Sequence, residues 1–176
     1  MALSIGSPCP DFDLPGTDGK RHSLASFEGG DVLVVIASCN HCPYVVAYEE
    51  RIVRLSREYR GKGVRIVAVN ANDVSRHPDD GMPQMVIRAR ERGFDFPYVR
   101  DDSQEILRAF GARFTPEVFV FDRARKLRYK GRIDDNHRDA GSVRSHDLRS
   151  AIDALLNGRE PPVTETQALG CSIKWR

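Results

Sequence analysis

Residues 31 to 37 read Asp-Val-Leu-Val-Val-Ile-Ala. Past its first residue this is an unbroken apolar run of strand length, mostly β-branched, the pattern of a strand covered on both faces. From Pro43 to Tyr59 the period changes: Val45, Tyr48, Ile52, Leu55 and Tyr59 recur every three or four positions, and Gly61 follows. That spacing predicts an amphipathic helix ending in a glycine stop. Val64 to Val69 is a second strand of the buried kind, and strand, helix, strand in this order marks a parallel βαβ unit with a right-handed crossover.

The flanking segments extend this core. Pro10 to Lys20 carries Asp18-Gly19 at its reversal and predicts an N-terminal hairpin. Asn70 to Pro83, rich in Asn, Asp, Gly and Pro, reads as a loop before a helix that ends at Arg92 and is closed by Gly93. A further helix is expected from Ser103, an N-cap residue type, to Gly111. Glu117 to Phe121 and Lys126 to Lys130 predict an antiparallel strand pair, and Asp147 to Leu156 predicts a last helix stopped by Asn157-Gly158.

The tail, Val163 to Arg176, ends in Gly170-Cys171-Ser172-Ile173-Lys174-Trp175. That is not the composition of a solvated linker, so the tail is expected to pack on the domain, anchored by Ile173 and Trp175. The whole predicts an α/β fold of one domain over residues 1–176, with a central mixed sheet, flanking helices, a hairpin extension at 1–30 and a docked tail at 163–176.

A length of 176 residues supports one hydrophobic core without disulfide staples. The formal charge of +2 leaves no electrostatic footprint for nucleic acid or a membrane surface. With no basic leader and no apolar run of spanning length, a cytoplasmic protein is expected, monomeric or homodimeric. Four cysteines, Cys9, Cys39, Cys42 and Cys171, are too few and too irregularly spaced for a secreted scaffold, so the close pair Cys39 and Cys42 points to redox or metal chemistry.

A helix N-terminus favours the thiolate, and two intervening residues allow two cysteines there to join, so Cys39 is expected to attack and Cys42 to resolve. Cys39 is placed where the field is strongest, with Cys42 one turn into the helix. Pro43 suits a first helical turn because its missing N–H is not needed there. His41 is expected to favour the thiolate and set a potential between about −270 and −180 mV. A zinc site using Cys39, His41, Cys42 and Cys171 is an alternative, with thiolate and imidazole ligands. Cys171 reads either as a third exchanging thiol or as part of a packed tail. Cys9 is incidental, and Asp134-Asp135-Asn136-His137 is a hydrated loop without a role.

Cys39-Asn40-His41-Cys42-Pro43-Tyr44, the Pro-Asp-Phe-x-Leu-Pro opening, Asn70-Ala71-Asn72-Asp73, Thr115-Pro116-Glu117, Gly131-Arg132-Ile133-Asp134-Asp135 and the tail motif together resemble the thioredoxin superfamily. The resemblance is to its peroxiredoxin-like branch, among proteins described as thiol-disulfide isomerase or thioredoxin, and it spans nearly the whole chain. It implies thiol-disulfide oxidoreductase chemistry with no cofactor beyond a Cys39–Cys42 disulfide, protein or small-molecule thiol and disulfide substrates, and a separate electron donor. It also implies a cis peptide at Pro116, with the Thr115-Pro116 loop against the cysteines as the surface that pairs with substrate backbone. Thioredoxins carry a tryptophan before the first cysteine and a buried acid in the preceding strand. Here Ser38 and an uncharged strand interior stand instead, so proton handling differs. Aligned on Cys42, the peroxiredoxin proline, hydroxyl and arginine positions fall at Val35, Cys39 and near Pro116, so the peroxide-activating set is missing. A thiol peroxidase using Cys42, and a redox-sensing domain without turnover, are the rival readings. Glu117 is a candidate proton acceptor or a solvated strand end.

Overall fold

The computed structural model describes residues 1–176. Asp18-Gly19 forms the reversal between β1 (Asp13–Pro15) and β2 (Arg21–Ser23), with Gly19 at a φ of +77° that a side chain would strain. The apolar run becomes β3 (Val32–Ser38), followed by α1 (Pro43–Glu58) and β4 (Val64–Asn70). After them come α2 (Met82–Arg92), β5 (Tyr98–Arg100), α3 (Glu105–Phe110) and β6 (Phe114–Thr115). The chain closes with β7 (Glu117–Phe121), β8 (Leu127–Gly131), α4 (Asp147–Leu156) and β9 (Cys171–Ser172).

The central sheet has the order β5-β4-β3-β7-β8, with β3 parallel to β4 and antiparallel to β7. It is a mixed sheet, and β3 lies at its centre. This explains why β3 lacks alternation. Val32, Val34 and Ile36 face a core built with Tyr48, Ile52 and Ile152, while Leu33, Val35 and Ala37 face a second core with Phe110, Phe119 and Phe121. Each valine, leucine or isoleucine buried this way contributes about 1.5–3 kcal/mol. No helix is long and apolar enough to cross a membrane.

Three features differ from the sequence reading. The helix after residue 103 starts one residue later than a Ser103 cap implies: Gln104 is the N-cap at φ +66°, and the Ser103 hydroxyl instead accepts the Glu105 N–H at 3.2 Å. The stretch read as a loop from Asn70 is in part strand, since Asn70 pairs with Ser38 and with Arg100 at the end of the sheet. The tail contributes a strand, with β9 antiparallel to β6 and Cys171 opposite Thr115. Beyond it, Ile173 is buried in the second core and the Trp175 ring lies 4.3 Å from the Arg108 guanidinium carbon.

Candidate active site

The two cysteines flank the turn between the central strand and the first helix. Cys42 is the N-cap of α1 and Pro43 its first helical residue, so Cys42 sits at the helix mouth rather than one turn inside it, and Cys39 precedes the cap by three residues. The strongest part of the helix field therefore falls on Cys42, not on Cys39 as expected. Both thiols are reduced and nearly covered, with Cys39 5% and Cys42 6% exposed. They pack with Val45, and Tyr44 and Cys171 close over them.

Thr115, immediately before the cis Thr115–Pro116 bond, meets both sulfurs. Cys39 Sγ lies 3.4 Å from the Thr115 hydroxyl, and Cys42 Sγ lies 3.2 Å from the Thr115 carbonyl oxygen. The site thus offers two placements for one proton. In the first, the Cys39 thiol donates to Cys42; that bond, with donors from Cys171 and the Val45 N–H, holds Cys42 below the ordinary thiol range against its burial. The same bond, together with burial and the nearby Asp80 carboxylate, raises Cys39. In the second placement, a Cys42 thiol donates to the Thr115 carbonyl, and a Cys39 thiolate accepts from the Thr115 hydroxyl. Negative charge is favoured on Cys42 over Cys39, because the Val45 N–H at the start of α1 lowers Cys42 while the nearby Asp80 carboxylate raises Cys39.

Asn40 is fixed by a buried polar cluster. Its N–H donates to Asp80 Oδ1 at 2.8 Å, its Nδ2 to the Asp79 carbonyl at 2.7 Å, and its Oδ1 accepts from the Tyr98 hydroxyl at 2.8 Å. Asp80 also accepts from Asn70 Nδ2 and Asn72 Nδ2, each at 3.0 Å. Behind it, the buried Arg100 guanidinium donates to the Asn72 carbonyl at 2.6 Å and the Asp80 carbonyl at 3.4 Å. A turn ahead of α2 thus places a buried carboxylate beside the cysteine turn. Asp80 escaped the sequence reading because an aspartate in a segment rich in Asn, Asp, Gly and Pro looks solvated, and only the tertiary fold buries it.

The other anticipated residues divide. His41 is exposed and faces Asp79 at 4.0 Å, and its ring bonds to neither sulfur, so the donors that favour the thiolate are not those expected. Glu117 is neither a proton acceptor at the thiols nor a solvated strand end. It is buried, and its Oε2 accepts the N–H groups of Arg113 at 2.7 Å and Phe114 at 3.1 Å, which holds the strand leading to Pro116. Asp134 anchors Tyr48 at 2.7 Å and Arg51 at 2.8 Å. Cys9 lies in the second core, away from this cluster.

A family model described as Redoxin matches residues 4–146 of the 176. The chain belongs to the Redoxin family. Among solved structures, a hypothetical protein from Sinorhizobium meliloti is 35% identical with a TM-score of 0.94, covering 100% of this chain and 97% of that one. A thiol-disulfide oxidoreductase ResA from Geobacillus thermodenitrificans is 28% identical over 131 residues, 72% of this chain and 68% of that one. The structure of a putative thiol:disulfide interchange protein DsbE from Chlorobium tepidum, 23% identical with a TM-score of 0.70, covers 88% of this chain and 99% of that one and shares the fold. This redoxin is a peroxiredoxin-like member of the thioredoxin superfamily, with the thioredoxin-like α/β architecture.

Proposed function

We propose that the protein is a thiol-disulfide oxidoreductase in which Cys39 and Cys42 cycle between dithiol and disulfide, with no cofactor beyond that bond and with protein or small-molecule thiols and disulfides as substrates. The observation that carries this reading is the convergence of both sulfurs on Thr115, at the N-terminus of α1 and beside Pro116. The resemblance to thiol-disulfide oxidoreductases supports it.

In this account Cys39 attacks, and its proton leaves by way of Cys42. The proton that Cys39 shares with Cys42 passes to Cys42, whose thiol then donates to the Thr115 carbonyl, while the Thr115 hydroxyl stabilises the Cys39 thiolate. The Cys39 sulfur bonds to one substrate sulfur, and the other leaves as a thiolate. Cys42 then loses the proton, attacks Cys39 Sγ and releases the second substrate sulfur, leaving Cys39–Cys42 oxidised and the substrate reduced by two electrons.

Two measurements test this. Reduced wild type mixed with glutathione disulfide should yield glutathione and a Cys39–Cys42 bond; an unchanged dithiol would contradict the proposal. Thr115→Val removes the hydroxyl that stabilises the attacking thiolate but keeps the carbonyl. A hydrogen bond to a charged group contributes about 1.5–3 kcal/mol, so the attack rate should fall by about 10- to 100-fold while the folded state persists. An unchanged rate would show that Thr115 plays no part in the attack.

A peroxide-reducing role for Cys42 has one argument in its favour, the lowering of that thiol by its neighbouring donors. Against it, the hydroxyl of Thr115 meets Cys39 rather than Cys42, and no guanidinium is bonded to Cys42. Hydrogen peroxide should therefore oxidise Cys42 no faster than an ordinary thiolate.

A further inference from the structure

Cys39 and Cys42 are covered, whereas the third thiol of the cluster, Cys171, is only partly buried and reaches the surface. Its side chain packs against the cluster of Cys39, Cys42 and Val45, and the Thr115 carbonyl that it neighbours lies 3.2 Å from Cys42 Sγ. This contact is built by the fold. Cys171 stands opposite Thr115 in the β6–β9 pair, on the backbone edge next to Pro116. Gly170 lets the tail come this close, because a Cβ there would sit 2.2 Å from the Thr115 carbonyl oxygen. Beyond the strand, the Lys174 N–H donates to Asn72 Oδ1 at 2.9 Å, and its carbonyl accepts from the Asp73 N–H at 2.8 Å and from Gln104 Nε2 at 3.0 Å. Asn72 belongs to the cluster that fixes Asp80 and Asn40, so one network sets both the cysteine turn and the tail.

We propose that Cys171 is a third redox-active cysteine, exchanging with the pair through Cys42, so that the protein has two isomeric one-disulfide states. The inference rests on the dithiol reading above and names the group that relays its electrons. From the Cys39–Cys42 state, the Cys171 thiol gives up its proton and its sulfur attacks Cys42 Sγ. The bond to Cys39 breaks with its electron pair going to Cys39, which takes up a proton. One disulfide replaces another with no net oxidation. Cys39 is then free to attack a further disulfide, and the oxidising equivalent sits on a sulfur that solvent can reach. Exchange of this kind depends on thiolate fraction and on access. In the reduced cluster, burial and the neighbouring Cys42 sulfur push the Cys171 thiol up to about 11; with Cys42 in a disulfide only burial still raises it, and the exchange should quicken as pH rises because the thiolate fraction grows.

The test is peptide mapping under non-reducing conditions after equilibration in a glutathione redox buffer. In full-length Cys39→Ser, a Cys42–Cys171 link should form with at least about a tenfold excess over any link to Cys9. Adding Gly170→Ala, which leaves all remaining thiols in place but pushes the tail off Thr115, should lower the equilibrium constant for that link by about tenfold or more. Separate thiols or only glutathione adducts at Cys42 and Cys171 in Cys39→Ser would overturn the inference, as would a link indifferent to Gly170→Ala. Wild type, mapped in parallel, separates the two claims. A Cys39–Cys42 link there with no link in Cys39→Ser removes the third thiol alone; no link in wild type removes the dithiol reading beneath it.

Discussion

Cys42→Ser should turn a fleeting intermediate into a stable one: Cys39 attacks a substrate disulfide, and the mixed disulfide then persists. Resolution in wild type is intramolecular, and well-placed groups act at effective molarities on the order of 10⁵ M or more. A millimolar external thiol replaces this poorly, so the adduct on Cys39 should outlive its wild-type counterpart by at least about 10³-fold. Cys39→Ser should lose the attack itself, with a comparable drop in the rate of substrate reduction. Mass spectrometry of trapped adducts checks both. If adducts instead accumulate on Cys42 in Cys39→Ser at the wild-type rate, the order of attack is the reverse. The electrostatics make this a sharp test, because negative charge is favoured on Cys42 over Cys39 and the proposed attack needs it moved to Cys39.

Asp80→Ala should be the most damaging substitution outside the cysteines. It strips the acceptor from the Asn40 N–H and from the Asn72 side-chain amide, and removes one of three acceptors from the Asn70 amide, all within a buried cluster. Two orphaned groups at about 1–3 kcal/mol each give a loss of about 2–6 kcal/mol, or about 4 °C or more in Tm for a domain of this size. Thermal and urea unfolding read this directly. A loss below about 1 kcal/mol would mean that water satisfies the cluster and that Asp80 does not hold the cysteine turn. Asp80→Asn keeps one acceptor and removes the charge beside Cys39, so it should cost less stability and make the Cys39 thiol more acidic.

What could be read from the sequence was what local pattern controls. The run at 31–37 announces a central strand because both its faces are covered, and the spacing from Val45 to Tyr59 announces α1 because one face meets the core. The strand at Tyr98–Arg100 has no such signal: it is three residues long and ends in a buried arginine whose partners lie far away in sequence. The tail composition implied packing but not that Cys171 would face Thr115, since pairing over that distance depends on the fold. At the site, the position of Cys39, Cys42 and Pro43 at the strand–helix turn was legible from motif and spacing, and the approach of Thr115-Pro116 to them from the family resemblance. Asp80, Tyr98 and the inward course of Glu117 were not, because a polar residue in a loop or at a strand end looks solvated until the chain closes around it. His41 misled for the same reason in reverse: proximity in sequence is not contact in space, and its ring turns out towards Asp79.

The most direct measurement is a redox titration of wild-type protein in glutathione buffers, with the bonded cysteines identified by peptide mapping at each point. A two-electron couple joining Cys39 to Cys42, with a potential between about −270 and −180 mV set by the donors around Cys42 rather than by His41, is the predicted result. Cys39 and Cys42 remaining separate thiols across the whole range would contradict it.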